Sequence, residues 1–418
     1  MAWIRVALVL FAVGWGANQF SPMLIVYRHS LGLGPGEIAG LFGIYAATLI
    51  PGLLAGGPLS DRFGRRACVL PFAALSPVAT LLLVLDPRSL PLIAAGRALA
   101  GLCSGMVFGP ATAWVQDLSP DGTVSVRRAA LALSAGFGLG PVAAALLAQW
   151  APDPLVVPYL PHLALGTAAL AVGLTTPGTR RPGRPGTTGH RGLPAALRTR
   201  AFWLGVAPAA PFVFGSIALA IVVLPEEVTS ARALSAGYAG LMTALAFAAG
   251  IGVQPAARRL AAGAPQAGVV AGLGAAAAGA AVAAAAVAAA SQVLAGLGAV
   301  LLGVAYGLCL VCGLRQAEQL SGPRDRGTVL AAYYVLAYLG FAMPYAADGV
   351  NAVLGQPGTF AVLTGVAAVL AGFLLLARHA DRDRASAAAA VGDQQAADSG
   401  APPAQTAATA LPRSGHRG

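Results

Sequence analysis

Apolar residues run along this chain in long blocks, and the polar ones gather between them. Blocks of mostly apolar residues occupy 4–27, 37–58, 68–86, 90–114, 129–150 and 157–177. After a polar stretch the pattern resumes at 202–224, 236–255, 267–289, 293–314, 328–349 and 357–377. About 20 apolar residues in a helix cross the roughly 30 Å hydrocarbon core of a bilayer, so the pattern predicts twelve transmembrane helices. The Ala-rich run "AAAAGAAVAAAAVAAA" at 275–290 lies between two turns and is read as part of a span rather than as low complexity. Transmembrane barrels instead alternate apolar and polar residues over segments of ~10, and nothing here alternates for long.

Composition agrees with the pattern. Of 418 residues, 57% are hydrophobic and only 10% charged, where a soluble protein carries about 25%. Too few polar residues remain to cover a surface facing water. The fold class expected is an all-α polytopic membrane protein, with twelve transmembrane helices arranged as two six-helix bundles. The start, "MAWIRVALVLFAVGWGANQF", places one Arg before an apolar run as a signal peptide does. That run is long and eleven spans follow, so an uncleaved first helix is expected.

Net charge +11 raises the question of nucleic acid, and its placement answers it. With the N-terminus in the cytoplasm, the inner side collects Arg5, Arg62, Arg65, Arg66, Arg127, Arg128, Arg180, Arg181, Arg184, Arg191, Arg198, Arg200, Arg258, Arg259, Arg315, Arg324 and Arg326. The outer side and outer membrane half hold only Arg28, Arg88, Arg97 and Arg232. This is the positive-inside bias of membrane proteins. It implies a multi-pass protein of the plasma membrane with both termini cytoplasmic, and no nucleic-acid partner. Four cysteines, Cys68, Cys103, Cys309 and Cys312, fall in or beside spans. The "CLVC" pair has redox or metal spacing, but no His or carboxylate cluster lies near it in sequence. Small buried residues one helical turn apart explain it, and no metal or cofactor is expected.

The segment "TTPGTRRPGRPGTTGHRGLPAALRTR" (175–200) divides six spans from six, and its Pro, Gly and Arg content reads as a solvated linker. The organisation expected is a bundle over 1–177, a cytoplasmic linker over 178–200, a second bundle over 201–378 and a tail over 379–418 without regular structure. The halves echo one another: "GLGPVAAALL" in the fifth span matches "FAMPYAADGV" in the eleventh, and "GVQPAARRL" follows the eighth span as "GGPLSDRFGRR" follows the second. Paired six-helix halves suggest a central site that opens to each side in turn.

"GGPLSDRFGRR" (56–66) gathers four charges between two uncharged spans. Arginines alone would satisfy the positive-inside rule, so the aspartate and glycines need another reason. Gly57 removes a side chain where helices pack closely, Gly64 permits positive φ, and Asp61 can pair with an arginine or sit at a helix N-terminus. The stretch resembles the signature loop of the major facilitator superfamily, Gly-x-Leu-x-Asp-Arg-x-Gly-Arg-Arg/Lys, through Gly57, Leu59, Asp61, Arg62, Gly64, Arg65 and Arg66. The resemblance implies that Asp61 latches the first half to the start of the eleventh helix, near Gly327 and Thr328, in the outward-facing state. The second copy has Arg258 and Arg259 but no acidic residue, so any latch there is degenerate.

Two further stretches resemble superfamily motifs. "RALAGLCSG" in the fourth span, with Arg97, Gly101 and Gly105, is similar to its buried-arginine motif. An arginine that far into a span costs ~2.5–3.5 kcal/mol on insertion scales. It either faces the bundle interior, to sense a neighbour's protonation or bind an anionic substrate, or snorkels to the outer headgroups. "GFGLGPVAA" in the fifth span, with Gly136, Gly140 and Pro141, resembles the Gly-x-x-x-Gly-Pro motif of the drug/proton antiporter branch. That pattern ends in paired glycines, where this chain has Ala144 and Ala145.

The resemblance also implies that the first, fourth, seventh and tenth helices line the cavity. Asn18 and Gln19 would be costly against lipid, so they point inward or bond to neighbouring helices. With Arg97 stand Phe212 and Phe214 of the seventh span, Tyr306 of the tenth, and Tyr334, Tyr338 and Tyr345 of the eleventh. Many aromatics with few polar groups suit an apolar or amphipathic small molecule. For proton coupling the candidates are Asp348 in the eleventh span and Glu37 at the mouth of the second, with Asp61 behind them. The function expected is a monomeric secondary transporter in the lipid bilayer, exporting a small organic molecule against protons. The alternatives are an uptake permease of the same fold for a sugar, acid or other metabolite, and a non-transporting receptor or scaffold. The phosphate loop of ATP-driven pumps requires a lysine, and the chain has none.

Overall fold

A computed structural model describes residues 2–119, 122–179, 194–228, 236–322 and 326–398. Every regular element among them is helical, and twelve helices are long and apolar enough to cross a membrane. Spans 1 to 6 are Ala2–Leu31, Gly36–Phe63, Arg65–Leu85, Leu90–Asp117, Arg128–Trp150 and Val157–Leu174. Spans 7 to 12 are Arg200–Val223, Gly237–Gly263, Pro265–Ala288, Gln292–Leu320, Thr328–Gly355 and Pro357–Ala377. All twelve blocks of the sequence pattern are therefore helices. Arg180, Arg181, Arg184, Arg191, Arg232 and Arg324, with most of the linker, lie outside the described residues.

Local chemistry sets the ends. Thr199 and Ser291 accept hydrogen bonds from the amides of Phe202 and Leu294, both at 3.3 Å, and so cap spans 7 and 10. Gly64 turns the chain between spans 2 and 3 at φ +94, and Gly355 separates spans 11 and 12 at φ +70, a region where a side chain is strained.

Two kinds of glycine crossing hold each half together, and each kind occurs twice. In the first half, side chains added at Gly101 and Gly105 of span 4 would strike the carbonyls of Tyr45 and Leu49 on span 2. In the second, Gly303 and Gly307 of span 10 stand in the same way against the carbonyls of Ala246 and Gly250 on span 8. Likewise Gly136 of span 5 lies on the carbonyl of Phe11 in span 1, and Gly340 of span 11 on that of Pro211 in span 7. Spans six apart thus repeat one another's contacts, and apolar backbones packed this closely gain dispersion energy that lipid does not replace. Counting four residues back from the first glycine of each pair, Arg97 corresponds to Ala299.

Contacts group residues Met1–Gly372 into one compact unit and Phe373–Gly418 into another. In the second unit a helix is assigned as far as Asp398, within the stretch read from the sequence as a tail without regular structure. The Ala-rich stretch 385–397 has high intrinsic helix propensity and needs no apolar periodicity to form one. Residues 399–418 lie outside the described residues.

Candidate functional site

Span 1 is not one continuous helix. Its first helix ends at Asn18, residues 19–22 form turns, and a second helix runs over Met23–Leu31. Pro22 has no N–H to give to Asn18 four residues back. The amide of Ser21 bonds Asn18 instead of Ala17, which releases the Ala17 carbonyl inside the bundle. A freed buried carbonyl must find a donor, and Arg97 supplies it. Nη1 of Arg97 donates to Ala17 and Nε to Leu41 of span 2, both at 3.3 Å.

The Arg97 guanidinium also lies over the rings of Phe20 and Tyr45, at 4.4 and 4.5 Å. The residue is 2% exposed. Arg97 therefore faces the interior and does not snorkel to the headgroups, since cation–π contacts and backbone carbonyls replace water around its charge.

The neighbouring residues of the break are equally engaged. Pro141 cannot donate to Phe137, so that carbonyl of span 5 is free, and Asn18 Nδ2 donates to it at 3.1 Å. Gly140 allows the approach, because a side chain there would press on the backbone of Trp15. Gln19 Nε2 donates to Thr80 of span 3 at 3.0 Å, and Thr80 Oγ1 lies 2.7 Å from Nδ1 of His162 in span 6. Asn18 and Gln19, candidates for the cavity lining, are thus bonded to neighbouring helices. Their amides were costlier to leave against lipid than to spend on spans 3 and 5. Replacing Asn18 with alanine strands the Phe137 carbonyl and is expected to cost ~1–3 kcal/mol, read as a lowered midpoint of thermal unfolding in detergent. An unchanged midpoint would remove Asn18 from this role.

In the second half the aromatic candidates stack on one another. Phe214 lies 4.3 Å from Tyr338, nearly parallel, 5.2 Å from Phe341 and 6.1 Å from Tyr306. Phe212 is also buried, and Tyr334 meets Tyr333 edge to face. Phe341, which sequence reasoning missed, reaches across to the first half. Its ring is 5.1 Å from Phe42 and 6.5 Å from Tyr45, so Tyr45 stands between the aromatic group and Arg97. It sits on a 3-10 turn, Gly340–Ala342, that interrupts span 11 where Gly340 crosses span 7. Tyr345 is 40% exposed and packs on Gly40 and Gly43 of span 2.

A second seam joins spans 5 and 8. Gln149 Oε1 accepts from the amide of Gly237 at 3.1 Å, at the start of span 8, and Gly240 leaves room for Ala145. Where the antiporter motif has paired glycines on span 5, the space comes from the opposite helix. The Tyr345 and Gln149 contacts between the halves lie toward the end of the bundle away from the linker.

At the linker end, side chains added at Gly57, Gly109 and Gly252 would meet open space. Gly57 therefore does not serve close helix packing among the described residues. Asp61, with a 70% exposed side chain, pairs with Arg65 one turn on at 2.6 Å. Arg65 also bonds Ser60 at 2.7 Å and lies 3.6 Å from Asp117 of span 4. Arg66 donates to Leu174 of span 6 at 2.8 Å, and Arg62 covers the Phe63 ring. Exposed Leu59 completes the loop. Among the described residues these contacts fasten the loop to its own half; the start of span 11 around Gly327, the expected partner of Asp61, lies partly outside the described residues.

Glu37 accepts from the amide of Gly34 at 2.9 Å and caps span 2. Asp348 lines a small recess with Glu227, Asn351 and Thr359, apart from Arg97. Cys312 Sγ contacts the Ala257 carbonyl, and Cys309 packs on Gly272. His162 was legible as a lone imidazole in an apolar span, where an ionisable group is costly enough to be informative.

A family model described as Major Facilitator Superfamily matches residues 6–344. Among solved structures, a point mutant of the nucleoside transporter NupG superposes with TM-score 0.67 at 12% identity, over 90% of this chain and 99% of that one. A POT family transporter in complex with 5-aminolevulinic acid superposes with TM-score 0.73 at 14% identity, over 90% and 95%. No curated protein sequence matches the chain.

Proposed function

This chain belongs to the Major Facilitator Superfamily, and we propose that it exports a small organic molecule by alternating access, driven by protons. Membership makes it a membrane transporter rather than an enzyme. The observation that carries the finer reading is the asymmetry between the two ends. Phe341, Tyr345 and Gln149 join the halves toward one end, while at the other Asp61 pairs with Arg65 of its own half. With the arginine-rich linker in the cytoplasm, this supports an inward-facing reading, in which Asp61 rests on Arg65. The protein acts as a monomer in the plasma membrane, and its aromatic second half suits an amphipathic molecule with a flat apolar face.

Purified protein in liposomes with an imposed pH gradient tests this. A nucleoside and 5-aminolevulinic acid, the compounds the structural neighbours name, head a panel of amphipathic aromatic compounds. Movement of at least one compound that follows the gradient and runs outward is expected. Asp61→Asn is expected to slow it at least about tenfold, ~1.4 kcal/mol of barrier, while an exposed pair contributes only ~0–1 kcal/mol to folding. Inward accumulation would turn the reading to an uptake permease, and wild-type rates in Asp61→Asn would remove the latch.

A further inference from the structure

We propose that His162 is the proton-binding site of the transport cycle, wired to the break in span 1 through Thr80 and Gln19. This rests on the proton-driven reading above and names where the proton sits. Two described imidazoles lie in the twelve spans: His29, exposed at the end of span 1, and His162, which is 1% exposed. Gln19 donates to Thr80 Oγ1, which lies 2.7 Å from Nδ1 of His162. We assign the neutral tautomer with its proton on Nε2, so that the Thr80 hydroxyl donates to Nδ1. Nε2 faces the Ala12 carbonyl of span 1 beside Gly16. Gln19 Oε1 is buried and without a partner among the described residues.

The unpartnered Gln19 Oε1 makes the chain reversible. A proton arriving at Nδ1 turns that nitrogen into a donor, and Thr80 Oγ1 must then accept it. The Thr80 hydroxyl proton needs a new acceptor, and the Gln19 amide supplies one by rotating Oε1 into the place of Nε2. Nothing is oxidised and no covalent bond to carbon changes; one proton is gained and two hydrogen bonds reverse direction. Burying an imidazolium is costly unless its protons find acceptors. The protonated form therefore requires span 1 to reopen around Gly16–Gln19, where Ala17 and Asn18 hold spans 4 and 5.

The groups around His162 allow this assignment. Span 3 presents Thr80, and span 1 presents Gly16 and Gln19. At the start of span 6, Tyr159 and Tyr27 share a hydrogen bond at 3.0 Å. Arg97 is held by Ala17, two residues before Gln19. Within that set no carboxylate offers a competing proton site. Asp86, the acid nearest Thr80 in sequence, lies just past the end of span 3 and accepts from the Arg88 amide.

The test needs no transported compound. Protein with ¹⁵N-labelled histidine in lipid nanodiscs is titrated from about pH 8 to pH 5, the range in which imidazole changes charge, and Gln in place of His162 (H162Q) identifies its signal. Spin labels at Leu59→Cys and Leu260→Cys, both on exposed positions at the linker end, report the separation of the halves. The expected result is that His162 passes from the Nε2–H form to imidazolium over the range in which the label distance changes, and that H162Q abolishes the distance change. Thr80→Val, which keeps the packing but breaks the chain, is expected to move both responses together. A His162 signal that stays neutral while the labels respond overturns the assignment, as does a normal response in H162Q. Those outcomes leave proton-driven export standing. Transport indifferent to the gradient removes the coupling reading first, and this site with it.

Discussion

Arg97→Ala is expected to reduce gradient-driven transport by at least about 10²-fold, ~2.7 kcal/mol of barrier, and to destabilise the fold as well. The effect on folding is the difference of terms that oppose one another. Two charged hydrogen bonds to Ala17 and Leu41 contribute ~1.5–3 kcal/mol each, and the rings of Phe20 and Tyr45 add ~2. Against this stands the ~2.5–3.5 kcal/mol cost of placing an arginine inside a span, which alanine avoids. The transport loss has no such offset, because Arg97 is what fastens the broken part of span 1 to spans 2 and 4. Arg97→Lys should fail nearly as badly. An ammonium is a point charge that cannot stack flat between two rings while reaching two carbonyls. Liposome flux and thermal unfolding of both variants check this. Wild-type flux in the lysine variant would show that charge suffices, and wild-type flux in the alanine variant would remove Arg97 from the cycle.

Gly105→Val is expected to prevent recovery of folded protein. A side chain there meets the Leu49 carbonyl, the Leu53 amide at 2.7 Å and the Gly52 carbonyl carbon at 2.8 Å. These are backbone atoms of span 2, so no rotamer change relieves the clash and the two spans must separate. Overpacking costs ~1–3 kcal/mol even where side chains can yield, and here the cost is set above that range. Gly109→Val, one turn along the same helix, meets nothing and should be close to neutral. Size-exclusion profiles and unfolding midpoints of the two variants make the comparison. Equal recovery would show that spans 2 and 4 do not cross on Gly105.

The twelve spans were legible because a bilayer demands long apolar runs, and no distant contact can override that demand. The cost of amides in lipid likewise showed that Asn18 and Gln19 must find partners. Which partners they find depends on Phe137, 119 positions away, and Thr80, 61 away, and no local pattern carries those distances. Aromatic spacing marked Phe214, Tyr306 and Tyr338 but not Phe341, because what singles out Phe341 is a 3-10 turn forced where Gly340 crosses span 7. Gly57, Asp61 and their neighbours were readable as a motif, yet the state of the loop was not, since one sequence serves both states. The helix through Asp398 escaped a reading built on apolar periodicity.

The repeated crossings have a consequence for how this protein can change over generations. Each half carries its own glycine scaffold, but only one carries an arginine, with Ala299 at the corresponding place in the other. Substitutions at Phe214 or Tyr338 leave the polar break of span 1 untouched, whereas Tyr306 packs on Gly250 of the second scaffold and is bound to it. The aromatic surface of the second half can therefore drift by mutation at Phe214 and Tyr338, while the polar break of the first half is inherited unchanged.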